Sequence, residues 1–192
     1  MKNRLTGIIV LAAVLITIGL FVFNQSYSNN EMDIERALYQ MGKGLNDQLA
    51  GRELSDIVCM DSLGNAVFLS QLAARGKVLV YYYSELHCNS CYESHKDLLE
   101  KNVDTKKLPV LILGSYFNYR HFAVYVKMKS CSLPIYRVEH DPFQWTLDHI
   151  GFPYYFVLNA DMTVSYFYIP QNNNPANDIL YLERVQAFIE TD

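Results

Sequence analysis

YYYSELHCNSCYESHKDLLE, residues 81–100, closes an apolar run and opens a polar, helix-compatible one, with Cys88 and Cys91 at the join. The preceding residues 77–83 read KVLVYYY, continuously apolar after the lysine and rich in β-formers. That pattern suits a strand covered on both faces. A helix is expected from about Cys88 to Lys101. A cysteine at such a helix start meets unpaired backbone N–H groups and the positive end of the macrodipole, which favour a thiolate. In settings of this kind a thiol pKa falls from ~8.5 to roughly 3.5–7.5. A second thiol one helical turn on is placed to attack a mixed disulfide and release the partner. Cys88 therefore reads as the nucleophile and Cys91 as the resolving thiol, with Asn89 and Ser90 between them tuning the pair.

Other chemistries compete for this pair. Covalent haem needs a histidine directly after the second cysteine, and Tyr92 stands there. A copper or zinc site is a stronger rival, because His87, Cys88, Cys91 and His95 offer four possible ligands, and Cys91 and His95 share a helix face. Metal fingers, however, usually draw their ligands from two separated pairs. The strand–CxxC–helix context favours redox chemistry, with a metal carrier and a non-catalytic binding module kept as alternatives. His87 either stabilises a thiolate when protonated or merely covers the edge of the site. His95 is expected on the exposed face of its helix, and His121, His140 and His149 show no partner at a recognisable spacing. Cys59 and Cys131 read as small buried apolar residues. The three tyrosines read as strand packing, and Trp145 with Phe143 as packing ahead of the Pro153 loop.

Outward from this junction, short strands and helices alternate. Residues 57–60 and 67–69 flank the turn DSLGN (61–65), and Ser70 is expected to cap a short helix ended by Gly76. LPVLILG (108–114) is a second buried strand, NYRHFAVYVKMK (118–129) a helix, and PIYRV (134–138) another strand. After Pro153, YYFVLNADMTVSYFYI reads as an antiparallel hairpin. The stretch QNNNP (171–175) is a helix-breaking loop, and Asp178 is expected to open a last helix. The pattern implies an α/β fold with a mixed central sheet flanked by helices.

The chain begins with Lys2 and Arg4, followed by the uncharged apolar run Gly7–Phe23. With its neighbours the run approaches the roughly 20 helical residues that span a bilayer. Acidic residues Glu31, Asp33 and Glu35 follow, so the charge bias predicts a cytoplasmic N-terminus and an exported remainder. The run exceeds the ~7–15 apolar residues of most signal peptides, and Ser26-Tyr27-Ser28 is a poor cleavage site, which favours a retained anchor. The expected organisation is a membrane anchor or signal segment over 1–24, a tether and short amphipathic helix over 25–52, and one domain over 53–192. A net charge of −4 with dispersed cations gives no basic stripe for nucleic acid. Four cysteines are too few for a disulfide scaffold in a domain this size.

The order of these segments resembles the thioredoxin superfamily, and is most similar to its membrane-anchored, exported members of the TlpA/ResA type. The resemblance spans roughly residues 53–190 and rests on IVCMDSLGNAVFLSQLAARGKVLVYYY, on Cys88-Asn89-Ser90-Cys91, and on GFPYYFVLNADMTV. It implies a thioredoxin-like fold with an N-terminal β-hairpin extension. The implied activity is that of a thiol–disulfide oxidoreductase needing no organic cofactor, acting on protein thiols or disulfides with a membrane or extracytoplasmic redox partner. Reduction is the favoured direction. The location implied is the outer side of a bacterial cytoplasmic membrane, periplasmic or extracytoplasmic, held by a single pass. By the same resemblance the Phe152–Pro153 bond would be cis, with the Phe152 backbone contacting substrate and Pro153 facing the dithiol. One departure matters: the family's buried acid, six positions before the first cysteine, is Tyr82 here. Its role as proton acceptor falls vacant, and Glu85 could fill it only by turning inward rather than staying solvated.

Overall fold

The computed structural model describes residues 16–20, 33, 36–87, 89–129, 131–140, 142–143, 145, 151–170 and 174–191, with backbone alone for Asn89 and Cys91. The chain divides into two units, Met1–Gln40 and Met41–Asp192. In the first, residues 16–20, 33 and 36–40 are helical, and Ile16, Ile18 and Leu20 are exposed. No helix among the described residues is long and apolar enough to cross a membrane. Most of the apolar run Gly7–Phe23, and the Ser26–Ser28 segment, lie outside those residues.

The second unit starts with helix α1 (41–49), then β1 (Val58–Met60), β2 (Ala66–Phe68) and α2 (Leu69–Ala73). Next come β3 (Val78–Ser84), α3 (Asn89–Asn102), β4 (Val110–Ser115), α4 (Tyr119–Met128) and β5 (Ile135–Val138). The hairpin β6 (Tyr154–Leu158) and β7 (Val164–Tyr168) and helix α5 (Pro175–Glu190) complete it. The strands form one sheet in the order β2-β1-β5-β4-β3-β6-β7. The β3–β4 and β4–β5 pairs are parallel, while β3–β6, β6–β7, β1–β5 and β1–β2 are antiparallel. This is the mixed α/β sheet the sequence implies.

Every residue of β3 is buried. Pleating sends alternate side chains to opposite faces, so the tyrosine run serves two layers. Tyr81 and Tyr83 join Tyr92, Leu99, Phe122 and Tyr155 in one core cluster. Tyr82 stacks on Tyr154 at 4.7 Å between ring centres and meets Phe143 edge-on at 5.9 Å. Buried phenols need partners. The Tyr81 hydroxyl donates to the Tyr92 carbonyl at 3.1 Å, and those of Tyr83 and Tyr116 share a hydrogen bond of 2.8 Å. The turns follow local chemistry: Asp61 accepts from the Leu63 and Asn65 amides, both at 2.8 Å, and Gly64 supplies φ +87°. The edge of β7 is covered, because Asn46 of α1 accepts from the Phe167 amide at 2.9 Å and Glu53 bridges Thr163.

Two helix starts differ from expectation. Helix α2 begins at Leu69, and Ser70 is not its cap. The Ser70 amide and hydroxyl instead donate to Asp56 at 3.0 and 2.6 Å, so a carboxylate fourteen residues earlier takes the acceptor role. Helix α5 begins at Pro175 rather than Asp178. Proline is preorganised for the first helical position, where its missing N–H costs nothing. Asp178 is thereby carried one turn inward and buried.

The core of β4 gives a sharp test of this packing. A Cβ on Gly114 would lie 2.7 Å from a Tyr116 ring carbon and 2.9 Å from the Tyr83 hydroxyl, whereas one on exposed Gly44 of α1 meets nothing within 4 Å. Gly114→Ala is expected to destabilise the fold by about 1–3 kcal/mol through overpacking. Gly44→Ala is expected to stabilise it by up to about 1 kcal/mol through helix propensity. Urea unfolding of the two variants should give shifts of opposite sign.

Candidate active site

The turn between β3 and α3 is wound onto its own backbone. The His87 amide donates to the Ser84 carbonyl at 2.9 Å, and the Leu86 amide to the Ser84 hydroxyl at 3.3 Å. The Glu85 amide donates to the Ser115 carbonyl of β4 at 2.9 Å. Helix α3 begins at Asn89, so position 91 falls in its first turn, and no acidic residue stands there to oppose a thiolate. Ser90 is exposed. Cys88 itself, and the side chains of Asn89 and Cys91, lie outside the described residues.

His87 is only 5% exposed, and its Nδ1 accepts the Ser84 amide at 3.2 Å. The proton of the neutral ring therefore sits on Nε2, which has no partner among the described residues. Burial, aided by the charge of His140, pushes the His87 pKa from 6.5 down to about 4. At pH 7 the ring is neutral and offers an N–H donor, not the cationic stabiliser considered from sequence. Tyr82 presents its ring edge-on to His87 at 6.2 Å between ring centres.

Glu85 neither floats in solvent nor turns toward α3. One oxygen accepts the Phe117 amide, and the other lies 3.2 Å from His121 Nδ1. The carboxylate ties the turn to the start of α4 and gives His121 a partner that spacing alone did not reveal. Strand register pairs Tyr82 with Tyr154, so Pro153 and Phe152 precede β6 at the end where β3 gives way to the cysteine turn. Pro153 is buried and Phe152 half-buried. The Phe152–Pro153 bond is trans, contrary to the expected cis form. Trans is the intrinsic preference by ~0.5–1 kcal/mol, and the chain passes through it directly into β6. Leu86, 57% exposed, and Phe117, 62% exposed, are apolar side chains open to solvent, with His140 stacked on Phe117 at 6.1 Å between ring centres.

His95 overturns its expected exposure: it is buried, on the α3 stripe Tyr92, His95, Lys96 and Leu99. Its Nδ1 lies 3.4 Å from Asp178 Oδ2, and Asp178 Oδ1 accepts the Tyr168 hydroxyl at 2.7 Å. Sequence reasoning did not bring Asp178 against His95. The signal was the 3–4 spacing of Tyr92, His95 and Leu99, which puts His95 inward. Among the described residues no group of three or more His, Cys, Asp or Glu is arranged to hold a metal ion. Cys59 and Cys131 are free thiols, buried and half-buried as small packing residues, and burial pushes their pKa values up to about 12 and about 11. Phe143 and Trp145 pack at 5.0 Å between ring centres, as expected.

No protein-family model matches the chain, and no curated protein does. Solved structures do. A thiol:disulfide interchange protein from Bacteroides sp. aligns with TM-score 0.55 at 17% identity, over 73% of this chain and 90% of that one. The thioredoxin domain of a thiol-disulfide oxidoreductase from Bacteroides vulgatus aligns with TM-score 0.54 at 16% identity, over 73% and 97%. The peroxidoxin BcpB of Mycobacterium tuberculosis aligns with TM-score 0.50 at 17% identity, over 71% and 96%.

The depressed pKa of His87 has a signed consequence. Between pH 6.5 and about 4 the unfolded chain binds a proton that the folded chain excludes. The stability contributed by the neutral ring is present above pH 6.5 and is lost as pH falls toward 4. Melting curves across that window should show a decline that His87→Phe reduces, and an equal decline in the variant would contradict it. These likenesses, at identities too low to carry activity, establish the architecture: the chain has a thioredoxin-like fold.

Proposed function

We propose that this chain is an extracytoplasmic thiol–disulfide oxidoreductase working through Cys88 and Cys91, with reduction of protein disulfides as the favoured direction. The observation that carries the reading is the placement of Cys-Asn-Ser-Cys where the fully buried strand β3 hands over to α3 in a thioredoxin-like sheet. There the first-turn amides favour a thiolate at Cys88, which attacks the substrate disulfide to form a mixed disulfide. Cys91, one turn on, resolves it. The neutral His87 N–H supports a sulfur anion without adding charge. The Phe152 backbone positions the partner chain, while exposed Leu86 and Phe117 give it an apolar seat. The dithiol carries the electrons, so no organic cofactor is required.

The anchor belongs to the same proposal. The uncharged run Gly7–Phe23, the basic residues before it and the exposed Ile16, Ile18 and Leu20 support a single pass with the domain outside the cytoplasmic membrane. Electrons would then arrive from a membrane or extracytoplasmic redox partner.

Cys88→Ser is expected to lower disulfide reduction by at least about a thousandfold, as loss of a nucleophile does. Cys91→Ser should instead accumulate a Cys88–substrate mixed disulfide visible by non-reducing electrophoresis and mass spectrometry. If Cys88→Ser keeps activity, or no mixed disulfide forms in Cys91→Ser, the reading fails. Labelling of the thiols in intact cells by a membrane-impermeant maleimide tests the location, and absence of labelling would contradict it.

A further inference from the structure

At the end of the sheet away from the cysteine turn, three loops meet around an open cleft of about 730 Å³. Residues 75–77 lead into β3, residues 106–109 lead into β4, and residues 159–161 turn β6 into β7. Lys77 directly precedes β3, so the seven residues of that strand hold the cleft and the cysteine turn about 20 Å apart at ~3.3 Å per residue. The volume of the cleft is that of a small-molecule site.

Four cations line it, Arg75, Lys77, Lys106 and Lys107, against one carboxylate, Asp161. Composition does not explain that concentration, since the chain carries a net charge of −4. Asp161 is turned to its own hairpin, where one oxygen accepts the Thr163 amide at 3.0 Å and the Thr163 hydroxyl at 2.6 Å. Asp104, on the loop before β4, gives one oxygen to the Lys106 amide at 3.1 Å. Arg75, Lys106 and Lys107 are exposed and have no ion-pair partner among the described residues. Lys77 is pinned: its Nζ donates to the Phe188 carbonyl at 3.3 Å and sits 3.7 Å from the centre of that ring.

Like charges on loose loops would drift apart, but these loops are wound onto their own backbone. The Gly76 amide donates to the Ala73 carbonyl at 3.1 Å, and the Lys107 and Leu108 amides both donate to the Asp104 carbonyl at 2.9 Å. The Met162 amide closes the hairpin turn on the Asn159 carbonyl at 2.9 Å. A cleft lined by one sign of charge focuses its field and concentrates ions of the other sign. Asn159, which also lines the cleft, keeps a buried Oδ1 with no hydrogen-bond partner among the described residues, an acceptor that a ligand hydroxyl or a water can satisfy.

We propose that this cleft binds a phosphate-bearing ligand, its anionic oxygens held by Arg75, Lys77, Lys106 and Lys107. A guanidinium holds two phosphate oxygens side by side, and ammonium groups add compact point charges. Four cations against one engaged carboxylate exceed what a single carboxylate ligand needs, and suit a phosphate dianion or a diphosphate. A soluble phosphate ester and a phospholipid headgroup share this chemistry. The site lies apart from the cysteine turn and uses no thiol, so it stands or falls independently of the oxidoreductase reading.

The test is calorimetric titration of the full-length chain, in non-ionic detergent, with inorganic pyrophosphate. One saturable site is expected, weakening steeply between about 50 and 200 mM salt. The double variant Lys106→Gln, Lys107→Gln should weaken it at least about tenfold, the scale of losing charge-assisted hydrogen bonds. Lys101→Gln with Lys127→Gln removes the same charge from exposed positions outside the cleft and should stay within about twofold. All four positions are exposed, so both proteins should fold as wild type does. Absence of a saturable site, or equal weakening in the two double variants, overturns the proposal. Acetylation of lysines, read by mass spectrometry against exposed Lys43 of α1 as internal standard, separates the sources. Protection of Lys106 and Lys107 by free pyrophosphate alone points to a soluble ligand. Protection by vesicles containing phosphatidylglycerol, and not by neutral phosphatidylcholine vesicles, points to a lipid headgroup. Lysines protected by neither probe contradict the site.

Discussion

The structure depends on complete burial of β3. Seven consecutive residues from Val78 to Ser84 are removed from water, which is possible only if both faces of the sheet are covered and both strand edges are paired. Strand β4 pairs along one edge and β6 along the other. The stiff aromatic rings of Tyr81, Tyr82 and Tyr83 then fix the spacing of the layers on either side. Burying an aromatic side chain contributes about 1.5–3 kcal/mol, but each phenol also carries a hydroxyl that must find a partner. The Tyr81–Tyr92 and Tyr83–Tyr116 hydrogen bonds meet that requirement for Tyr81 and Tyr83, and also orient α3 and the loop after β4. A rigid strand end is the result, and the Cys-Asn-Ser-Cys turn starts from it.

Electrostatically the site is built from neutral groups held close to ionisable ones. His87 is kept uncharged by burial, and the Tyr82 ring packs edge-on against it. Glu85 sits away from the helix start, bound to the Phe117 amide and His121. The macrodipole of α3 is then opposed by no nearby carboxylate on its first turn, which favours a thiolate. The buried pair His95–Asp178 joins the second turn of α3 to α5.

Much of the sheet was legible in the sequence because its signals are local. The apolar runs VLVYYY and VLILG, the Asp61-to-Asn65 turn and the Asn159-Ala160-Asp161 hairpin turn each specify their own geometry. What was not legible depends on partners far along the chain. His95 looks like a surface residue of a polar helix until Asp178, Tyr168 and Tyr155 are brought against it. Asp178 looks like a helix cap until Pro175 starts α5 a turn earlier. Ser70 likewise looks like a cap, and is claimed by Asp56 instead. The Phe152–Pro153 isomer was expected from resemblance, not from any local signal, and it differs. Cys88 and Cys91 were singled out by spacing and context alone, and their chemistry is part of the proposal.

The most direct measurement on the central claim is the reduction potential of the Cys88–Cys91 pair, by equilibrating the full chain against dithiothreitol or glutathione buffers and quantifying free thiols. A reversible two-electron couple near thioredoxin's ~−270 mV, or lower, is expected of a disulfide reductase. A couple near ~−120 mV would reverse the favoured direction. Absence of any reversible couple would contradict the assignment of thiol–disulfide chemistry to this site.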